Sequence, residues 1–257
     1  VFARHDALLL PEYLAVLPAP ARPGMAVLRL GAPAHPVESE QGRLADALTE
    51  LGPSYIKLGQ FLSTRPDIIG GKRAFELKTL QDRLPPFPQP EAEDTVAREL
   101  GQPVAALFAE FGPAVAAASI AQVHKARLRD GRAVAVKILR PGVEKRFAAD
   151  MESFTFAASL MERLSTEGRR LRPIDAVAML KQSMDLELDL RMEAAALSEM
   201  AENSKDDAGL RFPAIHWDLT ARRVLTTEWI DATPMADVAA LRASGHDLVK
   251  LADTLVQ

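Results

Sequence analysis

The chain has 257 residues, 48% of them hydrophobic and 26% charged, which is typical of a globular protein with one large or two small domains. A formal net charge of −4 argues against a nucleic-acid binder that works through bulk positive charge. The sequence has no cysteine, which excludes disulfides and thiol catalysis, and no apolar run reaches the roughly 18 residues of a membrane-spanning helix.

Residues 1–37 form a region rich in proline and alanine. Six prolines lie between Pro11 and Pro36, and because helices do not persist through such spacing, the pattern predicts an irregular arm. One short strand is predicted at Met25–Leu30. The chain starts with valine, and we expect the gene product to contain residues before it.

Residues 38–102 are predicted to be helical. Leu44, Leu48 and Leu51 fall on one helical stripe, and Gly52-Pro53 ends that helix because proline suits the first turn of the next one. The predicted helices cover Glu40–Leu51, Pro53–Leu62, about Lys72–Leu84, and a segment that starts at Pro90 and stops at Gly101.

A β-hairpin is predicted after the helices. The segments "AVAAASIAQVHKARL" (114–128) and "AVAVKIL" (133–139) flank Asp130-Gly131, which is a strong turn signal. Alternation puts two sets of residues on opposite faces of the second strand: Val134, Val136 and Ile138 on one, and Ala133, Ala135 and Lys137 on the other. Lys137 therefore lies on a face of small side chains that leaves room beside it.

The rest of the chain returns mainly to helices. Two long helices are predicted at 143–165 and 173–202, and two strands at 212–217 and 223–230. A turn into a short helix follows in "DATPMADV", and a last helix is predicted at 246–257.

Three segments, "LGPSYIKLGQFLSTRPDII", "AAASIAQVHKARL" and "ELDLRMEAAAL", closely resemble the UbiB family of atypical kinases, which includes bacterial ubiquinone-biosynthesis proteins and ADCK-like proteins of mitochondria and plastids. The resemblance runs from about Glu38 to the end of the chain. It implies an α+β fold in which residues 103–231 form a protein-kinase-like small lobe, an antiparallel sheet plus helices. Residues 38–102 would be a helical extension carrying a K-x-G-Q motif, and 232–257 the start of the helical large lobe.

The resemblance assigns an ATP-binding role to Lys137 and Glu193. Lys137 matches the strand lysine that contacts the α and β phosphates, although V-A-V-K alone is a weak signal because exposed strand lysines are common. Glu193 matches the last acid of the family's E-x-D-x-x-x-E pattern and would hold the lysine in place. We therefore predict an ion pair between these two residues, with N and O within about 4 Å.

The family's second motif pairs acids with the K-x-G-Q segment. The resemblance implies that Lys57, with Gln60 one turn on, meets Glu187, and that the extension occludes the site where a protein kinase admits its peptide substrate. We therefore predict that Lys57 or Gln60 approaches Glu187 or Asp189. On the single helix predicted at 173–202, Asp189 and Glu193 would share one face, whereas Glu187 would lie well around from both.

An alanine-rich segment stands where kinases carry a glycine-rich phosphate loop. Alanine restricts positive φ and close backbone approach, so we expect an altered nucleotide preference and suppressed phosphoryl transfer to protein. The alternative is a buried small-residue strand that binds no ligand. The candidate ATP-binding residues of this segment are Val115, Ala116, Ala117, Ala118, Ser119, Ile120, Ala121, Gln122 and Val123.

The segment "RRVLTTEWIDATP" matches the kinase hinge. Thr227 would lie behind the adenine, and the carbonyl of Glu228 and the backbone of Ile230 would contact its edge. Asp231 and Asp237 are interpreted as ordinary turn and capping acids.

Catalytic residues are not found in the sequence. It contains neither D-F-G nor H-x-D-x-x-x-x-N, which supply the base and the metal ligands of kinases. We therefore predict that this chain is inactive by itself and that the ligands for Mg²⁺ lie beyond Gln257. The parent protein would be an ATP-binding, ATP-hydrolysing enzyme with ATP or ADP and Mg²⁺ as its cofactors.

The resemblance further implies a role in ubiquinone (coenzyme Q) biosynthesis, in the bacterial cytoplasm or at the cytoplasmic face of the inner membrane, peripherally or anchored through a C-terminal part outside this chain. Candidate partners are biosynthetic enzymes and an isoprenoid lipid, and no nucleic acid. Two alternatives remain: a non-catalytic nucleotide- and lipid-binding scaffold, and a phosphotransferase of the aminoglycoside-kinase type, against which the K-x-G-Q segment argues.

Overall fold

A computed structural model describes residues 43–78, 80, 84–164, 166–207, 209–235 and 237–256. The predicted arm and its strand at Met25–Leu30 lie outside these residues. The chain divides into two compact units. The first unit comprises Val1–Pro86, Ala117–Ala121 and Arg140–Leu188, and the second comprises Phe87–Ala116, Gln122–Leu139 and Asp189–Gln257. The segment boundaries predicted at residues 37, 102 and 231 stay predictions.

Helices lie before, between and after the strands along the chain. The helices before the sheet are α1 (Arg43–Leu51), α2 (Pro53–Ser63), α3 (Pro66–Ile69), α4 (Gly71–Leu77), α5 (Gln89–Leu100) and α6 (Val104–Leu107). The first three strands are β1 (Phe108–Ala117), β2 (Ala121–Leu128) and β3 (Ala133–Leu139). The remaining elements are α7 (Val143–Leu164), α8 (Thr166–Leu171), α9 (Pro173–Glu187), α10 (Leu190–Asn203), β4 (Val224–Glu228), α11 (Val238–Ala243) and α12 (Leu248–Val256).

The first unit is helical, and its small apolar core lies among α1, α2 and α4. Gly52 ends α1 with a φ of 100°, and Pro53 starts α2 directly after it, as the Gly-Pro pair predicts. The residues buried in this core are Ala45, Leu48, Leu77 and Leu80.

Helix α7 packs along α9 and also contacts α2. An edge-to-face contact joins the rings of Tyr55 and Phe154, whose centroids are 4.9 Å apart. The guanidinium of Arg146 donates to the carbonyl oxygen of Leu51 at 2.6 Å, which satisfies one of the last carbonyls of α1. These contacts attach the K-x-G-Q helix α2 to the longest helix of the unit.

The second unit is built on a four-stranded sheet in the order β1-β2-β3-β4, with β3 and β4 antiparallel. Val134, Val136 and Ile138 are completely buried on one face, where they pack with Ala92 and Val96 of α5. Ala135 and Lys137 lie on the other, half-buried face. The predicted alternation in β3 is therefore confirmed, and the sheet with its helices has the predicted α+β, kinase-like fold.

Four predicted elements differ from the structure. The helix predicted at about Lys72–Leu84 is shorter and ends at Leu77. The strand predicted at 114–128 is two strands, β1 and β2, separated by a turn at Ala118–Ile120. The helix predicted at 173–202 is two helices, α9 and α10, that break at Leu188-Asp189. The segment 212–217 contributes one isolated bridge, between Ile215 and Thr227, where a full strand was predicted.

A buried histidine network lies where β2 meets β1. Gln122 accepts from the backbone N–H of Phe87 through its Oε1 atom at 2.9 Å, so its amide nitrogen faces Nε2 of His124 at 2.8 Å. Nε2 must then accept, and the ring proton is on Nδ1, which donates to the carbonyl of Gly112 at 2.9 Å. Burial lowers the pKa of His124, and the Gln122 donor at Nε2 likewise favours the neutral ring.

The His124 network predicts a loss of stability in mild acid. Below a pH of about 6.5 the unfolded chain protonates this histidine while the native ring resists protonation, so the free energy of unfolding should fall as the pH decreases. This contribution is limited to about 1.4 kcal/mol per pH unit. Denaturant unfolding at several pH values should show a shallower pH dependence for His124→Asn, whereas the exposed His246→Asn variant should match the parent. Equal slopes for all three proteins would contradict the prediction.

Candidate functional site

Lys137 of β3 and Glu193 of α10 form an ion pair in the second unit. The Nζ atom of Lys137 donates to both carboxylate oxygens of Glu193, at 2.9 and 2.7 Å. The side chains remain 31% and 42% exposed. The predicted pair is therefore confirmed, and an ammonium with three donors keeps one beyond the two that Glu193 accepts.

Packing of α10 on the sheet brings Glu193 to Lys137. Helix α10 contacts β4, and its residues Leu190 and Ala194, on either side of Glu193 in sequence, are completely buried. The backbone N–H of Leu190 donates to the carbonyl of Arg222 at 2.9 Å, which fixes the start of α10 near the start of β4. Lys137 lies opposite Leu225 of β4, so the strand below α10 is also the strand beside the lysine.

The partly exposed Lys137–Glu193 ion pair contributes little to the free energy of folding. Partly exposed ion pairs are worth about 0–1 kcal/mol because solvent screens them and holding both side chains costs entropy. The geometry of Lys137 and Glu193 thus places a held positive charge on the small-residue face of β3, where it can attract an anion.

Asp189 is not on the same face of a helix as Glu193, and the predicted single helix is wrong at this point. Asp189 is the N-cap of α10: its carboxylate accepts from the backbone N–H of Arg191 at 3.1 Å and from the Arg191 guanidinium at 2.8 and 2.6 Å. The Arg191 hydrogen bond lowers the pKa of Asp189. A short acidic side chain competes for backbone donors, and this favours a helix start over a helix interior.

The alanine-rich segment is exposed at its first residues and buried at its last. Val115 and Ala116 are exposed at the end of β1, and Ala117, Ala118 and Val123 are half-buried. Four residues are almost completely buried, with exposed fractions of 0 to 6%: Ser119, Ile120, Ala121 and Gln122. None of the nine residues has a positive φ, consistent with the restriction that alanine imposes.

The predicted hinge comprises β4 and the residues that follow it. The backbone N–H of Glu228 donates to the carbonyl of Ala214 at 2.7 Å, and that of Trp229 donates to the carbonyl of Ala133 at 3.1 Å. Ile230 comes next and is exposed. The N–H of Ala214, followed by the guanidinium of Arg211, lowers the pKa of the Glu228 carboxyl. These contacts fix the backbone at the point where the chain leaves the sheet.

The sequence analysis missed Arg211. It lies 17 residues before Glu228 and binds its carboxylate. No spacing or motif in the sequence indicates this contact, because it depends on how the chain around Ala214 returns to β4.

The K-x-G-Q helix contains a second ion pair, in the first unit. The Nζ atom of Lys57 on α2 is 2.7 Å from Oε2 of Glu187 on α9, and the side chains are 15% and 38% exposed. The predicted contact is confirmed. Gln60, one turn further along α2, is half-buried, as is Phe61, whereas Ile56 is completely buried.

The Lys57–Glu187 pair should stabilise the first unit more than a surface pair does. We expect a coupling of about 1 kcal/mol between Lys57→Met and Glu187→Gln in a double-mutant cycle on the free energy of unfolding, because Lys57 is largely desolvated. A matched control is the exposed Lys181–Asp185 pair on α9, for which we expect less than about 0.5 kcal/mol. Equal coupling energies in the two cycles would show that the burial of Lys57 does not strengthen its ion pair with Glu187.

The search for metal sites and membrane spans covered the described residues. Within them, no group of three or more histidine or acidic side chains is arranged to hold a metal ion. None of the helices in this part of the chain combines the length and the apolar character needed to cross a bilayer.

Comparison with known proteins identifies related sequences. Residues 79–257 match the family model described as ABC1 atypical kinase-like domain. The chain is 43% identical over 249 residues to a "Probable protein kinase UbiB" of Marinobacter nauticus, covering 95% of this chain and 45% of that protein. Proteins with the same description in Shewanella frigidimarina and Pseudomonas putida are 39% and 40% identical, over 87% and 88% of this chain and 41% and 42% of their own lengths.

The chain thus spans less than half the length of these curated relatives. Among solved structures, it resembles the complex of Rv3197 with erythromycin from Mycobacterium tuberculosis. That similarity has a TM-score of 0.49 and 32% identity, and covers 76% of this chain and 49% of the other.

Proposed function

Because the chain belongs to the ABC1 atypical kinase-like family, we propose that it is the adenine-nucleotide-binding part of an ATP-hydrolysing atypical kinase that supports ubiquinone biosynthesis. The proposal rests on the Lys137–Glu193 pair together with the family. Relatives described as "Probable protein kinase UbiB" support the kinase class, and the biosynthetic role extends from the resemblance to bacterial ubiquinone-biosynthesis proteins.

The Lys137–Glu193 pair is the observation that best supports the proposal of nucleotide binding. A lysine ammonium attracts phosphate oxygens strongly, but its four-carbon chain is flexible and must be held to act at one point. The two hydrogen bonds that the Lys137 ammonium donates to Glu193 fix the nitrogen while leaving a donor for a phosphate. We assign to Lys137 the contact with the α and β phosphates, and to Glu193 the positioning of Lys137.

The remaining contacts of the proposed site come mainly from backbone. We assign phosphate contacts to the segment from Val115 to Val123, and adenine contacts to the carbonyl of Glu228 and the backbone of Ile230.

The described residues contain no group of three or more histidine or acidic side chains that would hold a metal ion by itself. We therefore assign to them the binding and orientation of the nucleotide alone, and the catalytic base and metal ligands to other residues of the complete protein. Mg²⁺ would neutralise phosphate charge in that protein. For the Lys57–Glu187 contact we propose the occluding role that keeps peptide substrates out.

The complete protein is further proposed to act in the cytoplasm or at the cytoplasmic face of the inner membrane. Its candidate partners are enzymes of ubiquinone biosynthesis and an isoprenoid lipid. Support for these partners comes from the family resemblance.

Calorimetric titration of the complete protein tests nucleotide binding. We expect ATP and ADP to bind and GTP to bind at least about tenfold more weakly, because the proposed hinge contacts read the adenine edge. Lys137→Met should weaken ATP binding, whereas Lys181→Met, which changes an exposed lysine of α9, should not. Absence of any adenine-nucleotide binding would overturn the proposal.

ATP turnover separates the proposal from the scaffold alternative. An atypical kinase or ATPase should release phosphate from ATP in the presence of Mg²⁺. A protein that binds ATP in the titration but releases no phosphate under any condition, with or without lipid, would be the nucleotide-binding scaffold.

A further inference from the structure

We propose that Arg191 is a positioning residue for the nucleotide site: it clamps the carboxylate that caps α10, and the start of α10 sets the place of Glu193 beside Lys137. The first half of the inference concerns the fold of the first turn of α10. The second half rests on the proposed nucleotide-binding function, because it assumes that Lys137 binds phosphate.

The place of Glu193 depends on where α10 begins. Glu193 is the fourth residue of α10, at the end of its first turn. Its ion pair with Lys137 is partly exposed, and pairs of this kind are too weak to hold a helix start in place by themselves. Burial of Leu190 and Ala194 anchors one side of this turn, so its other side depends on the cap.

The cap of α10 is a carboxylate held by Arg191. Asp189 accepts from the backbone N–H of Arg191 at 3.1 Å, and from its guanidinium through Nε at 2.8 Å and through Nη2 at 2.6 Å. The side chain of Asp189 is only 14% exposed, whereas that of Arg191 is 54% exposed. A carboxylate that has lost most of its water needs donors in its place, and Arg191 supplies them.

A second carboxylate acts on Arg191 from α5. The hydrogen bond to Asp189 first, and then the charges of Asp189 and of Glu99, raise the pKa of Arg191. Glu99 also accepts from the backbone N–H of Arg223, just before β4, at 3.3 Å. An acid in the last turn of a helix is unfavourable for the helix dipole, and these two partners offset that cost. Arg191 is therefore attracted by a carboxylate of α5 as well as by the cap of its own helix.

Arg191 is not placed to touch the phosphates that Lys137 would bind. Side chains two positions apart on a helix point about 160° away from each other, so Arg191 and Glu193 lie on nearly opposite sides of α10. Any effect of Arg191 on the nucleotide must therefore pass through the helix, by way of the position of Glu193.

Arginine suits this task better than lysine does. Its planar guanidinium binds both oxygens of Asp189 at once, Nε to Oδ1 and Nη2 to Oδ2, which fixes the orientation of the carboxylate. A lysine ammonium would act as a single point of charge and hold the cap less firmly. The sequence analysis did not single out Arg191, although this residue lies inside the family segment "ELDLRMEAAAL".

Hydrogen–deuterium exchange and ATP binding in the complete protein test the two halves separately. In Arg191→Gln, exchange at the backbone amides of residues 192–194 should rise at least about fivefold, because the first turn of α10 frays. The dissociation constant for ATP should also rise at least about fivefold. Arg191→Lys should rescue both in part, and Arg98→Gln, which changes an exposed arginine of α5 next to Glu99, should alter neither.

A double-mutant cycle distinguishes positioning from general damage. Glu193→Gln alone should weaken ATP binding, because Lys137 is then no longer held by a charged partner. In the Glu193→Gln background, Arg191→Gln should change the ATP dissociation constant less than about twofold, since its effect passes through Glu193. An equal loss of affinity in both backgrounds would overturn this route.

The remaining outcomes also decide the inference. Unchanged exchange at residues 192–194 would overturn the positioning role. Faster exchange with ATP binding equal to that of the parent would overturn the link to the nucleotide site while leaving the proposed function intact. Faster exchange in a protein that binds no nucleotide, parent included, would overturn that link together with the proposed function and uphold the clamp alone. Protection of the β3 amides shows that a variant is folded, and Arg191→Lys replaces Arg191→Gln if the latter is not.

Discussion

Lys137→Met is expected to lower ATP turnover by the complete protein at least about 100-fold, while the free energy of unfolding changes by less than about 1 kcal/mol. The two magnitudes differ because the ion pair with Glu193 is partly exposed and contributes little to folding, whereas the same ammonium would stabilise charge on the phosphates. Phosphate release and denaturant unfolding of the same preparation measure both.

Two further variants test whether ATP turnover requires the ammonium at position 137 itself. The exchange Lys137→Glu with Glu193→Lys retains opposite charges but moves the ammonium from the strand to the helix, so we expect turnover to stay low. Lys125→Met, which changes a strand lysine that lies 4.4 Å from the ring centroid of Trp229, should retain turnover. Near-normal ATP turnover in Lys137→Met would show that this lysine is not part of the nucleotide site.

Gly59→Val is expected to destabilise the protein by about 3 kcal/mol, because it overpacks the core of the first unit. A Cβ atom at Gly59 would lie 2.3 Å from Cδ1 of Leu80 and 2.7 Å from Cδ1 of Leu48. Both leucines are buried in the core and have little room to move. Gly59 thus serves the close approach of α2 to its neighbours, since its φ is not positive.

Gly71→Val is the matched control for this change. Gly71 is at the start of α4, and a Cβ atom there would meet no atom within 4 Å. Denaturant midpoints should therefore fall clearly for Gly59→Val and change by less than about 1 kcal/mol in free energy for Gly71→Val. A similar loss in both variants would mean that valine acts through helix propensity and not through packing.

Local patterns in the sequence were sufficient for several parts of the fold. The alternation of β3 predicted that Val134 and Val136 would be buried and that Lys137 would lie on the opposite face, because strand side chains alternate with a period of two. Gly52-Pro53 placed a helix boundary correctly because each residue has a narrow backbone preference. Gly101, predicted to end the preceding helix, is left-handed at the end of α5.

The two ion pairs were predicted from the family motifs together with charge. Lys57 and Glu187 are 130 positions apart, as their residue numbers show, and nothing local in either segment indicates the other. Their contact could be predicted because the resemblance supplied a pairing, and opposite charges made that pairing plausible. The assignment of the nucleotide-binding residues rests on the same family resemblance, and it stays a prediction.

The sequence by itself determined the strand faces and the main helix boundaries, since each depends on residue preferences within a short window, whereas the charged partners were predicted from the family motifs. Only the tertiary structure decided the break at Asp189, the turn at Ala118–Ile120 and the His124 network. Asp189 can either continue a helix or cap one, and packing of Leu190 against the sheet favours the cap. The turn accepts hydrogen bonds from Arg140, and Gln122 of the network accepts one from Phe87. Both donors lie at least 20 positions away along the chain, and such partners are fixed only when the chain has folded.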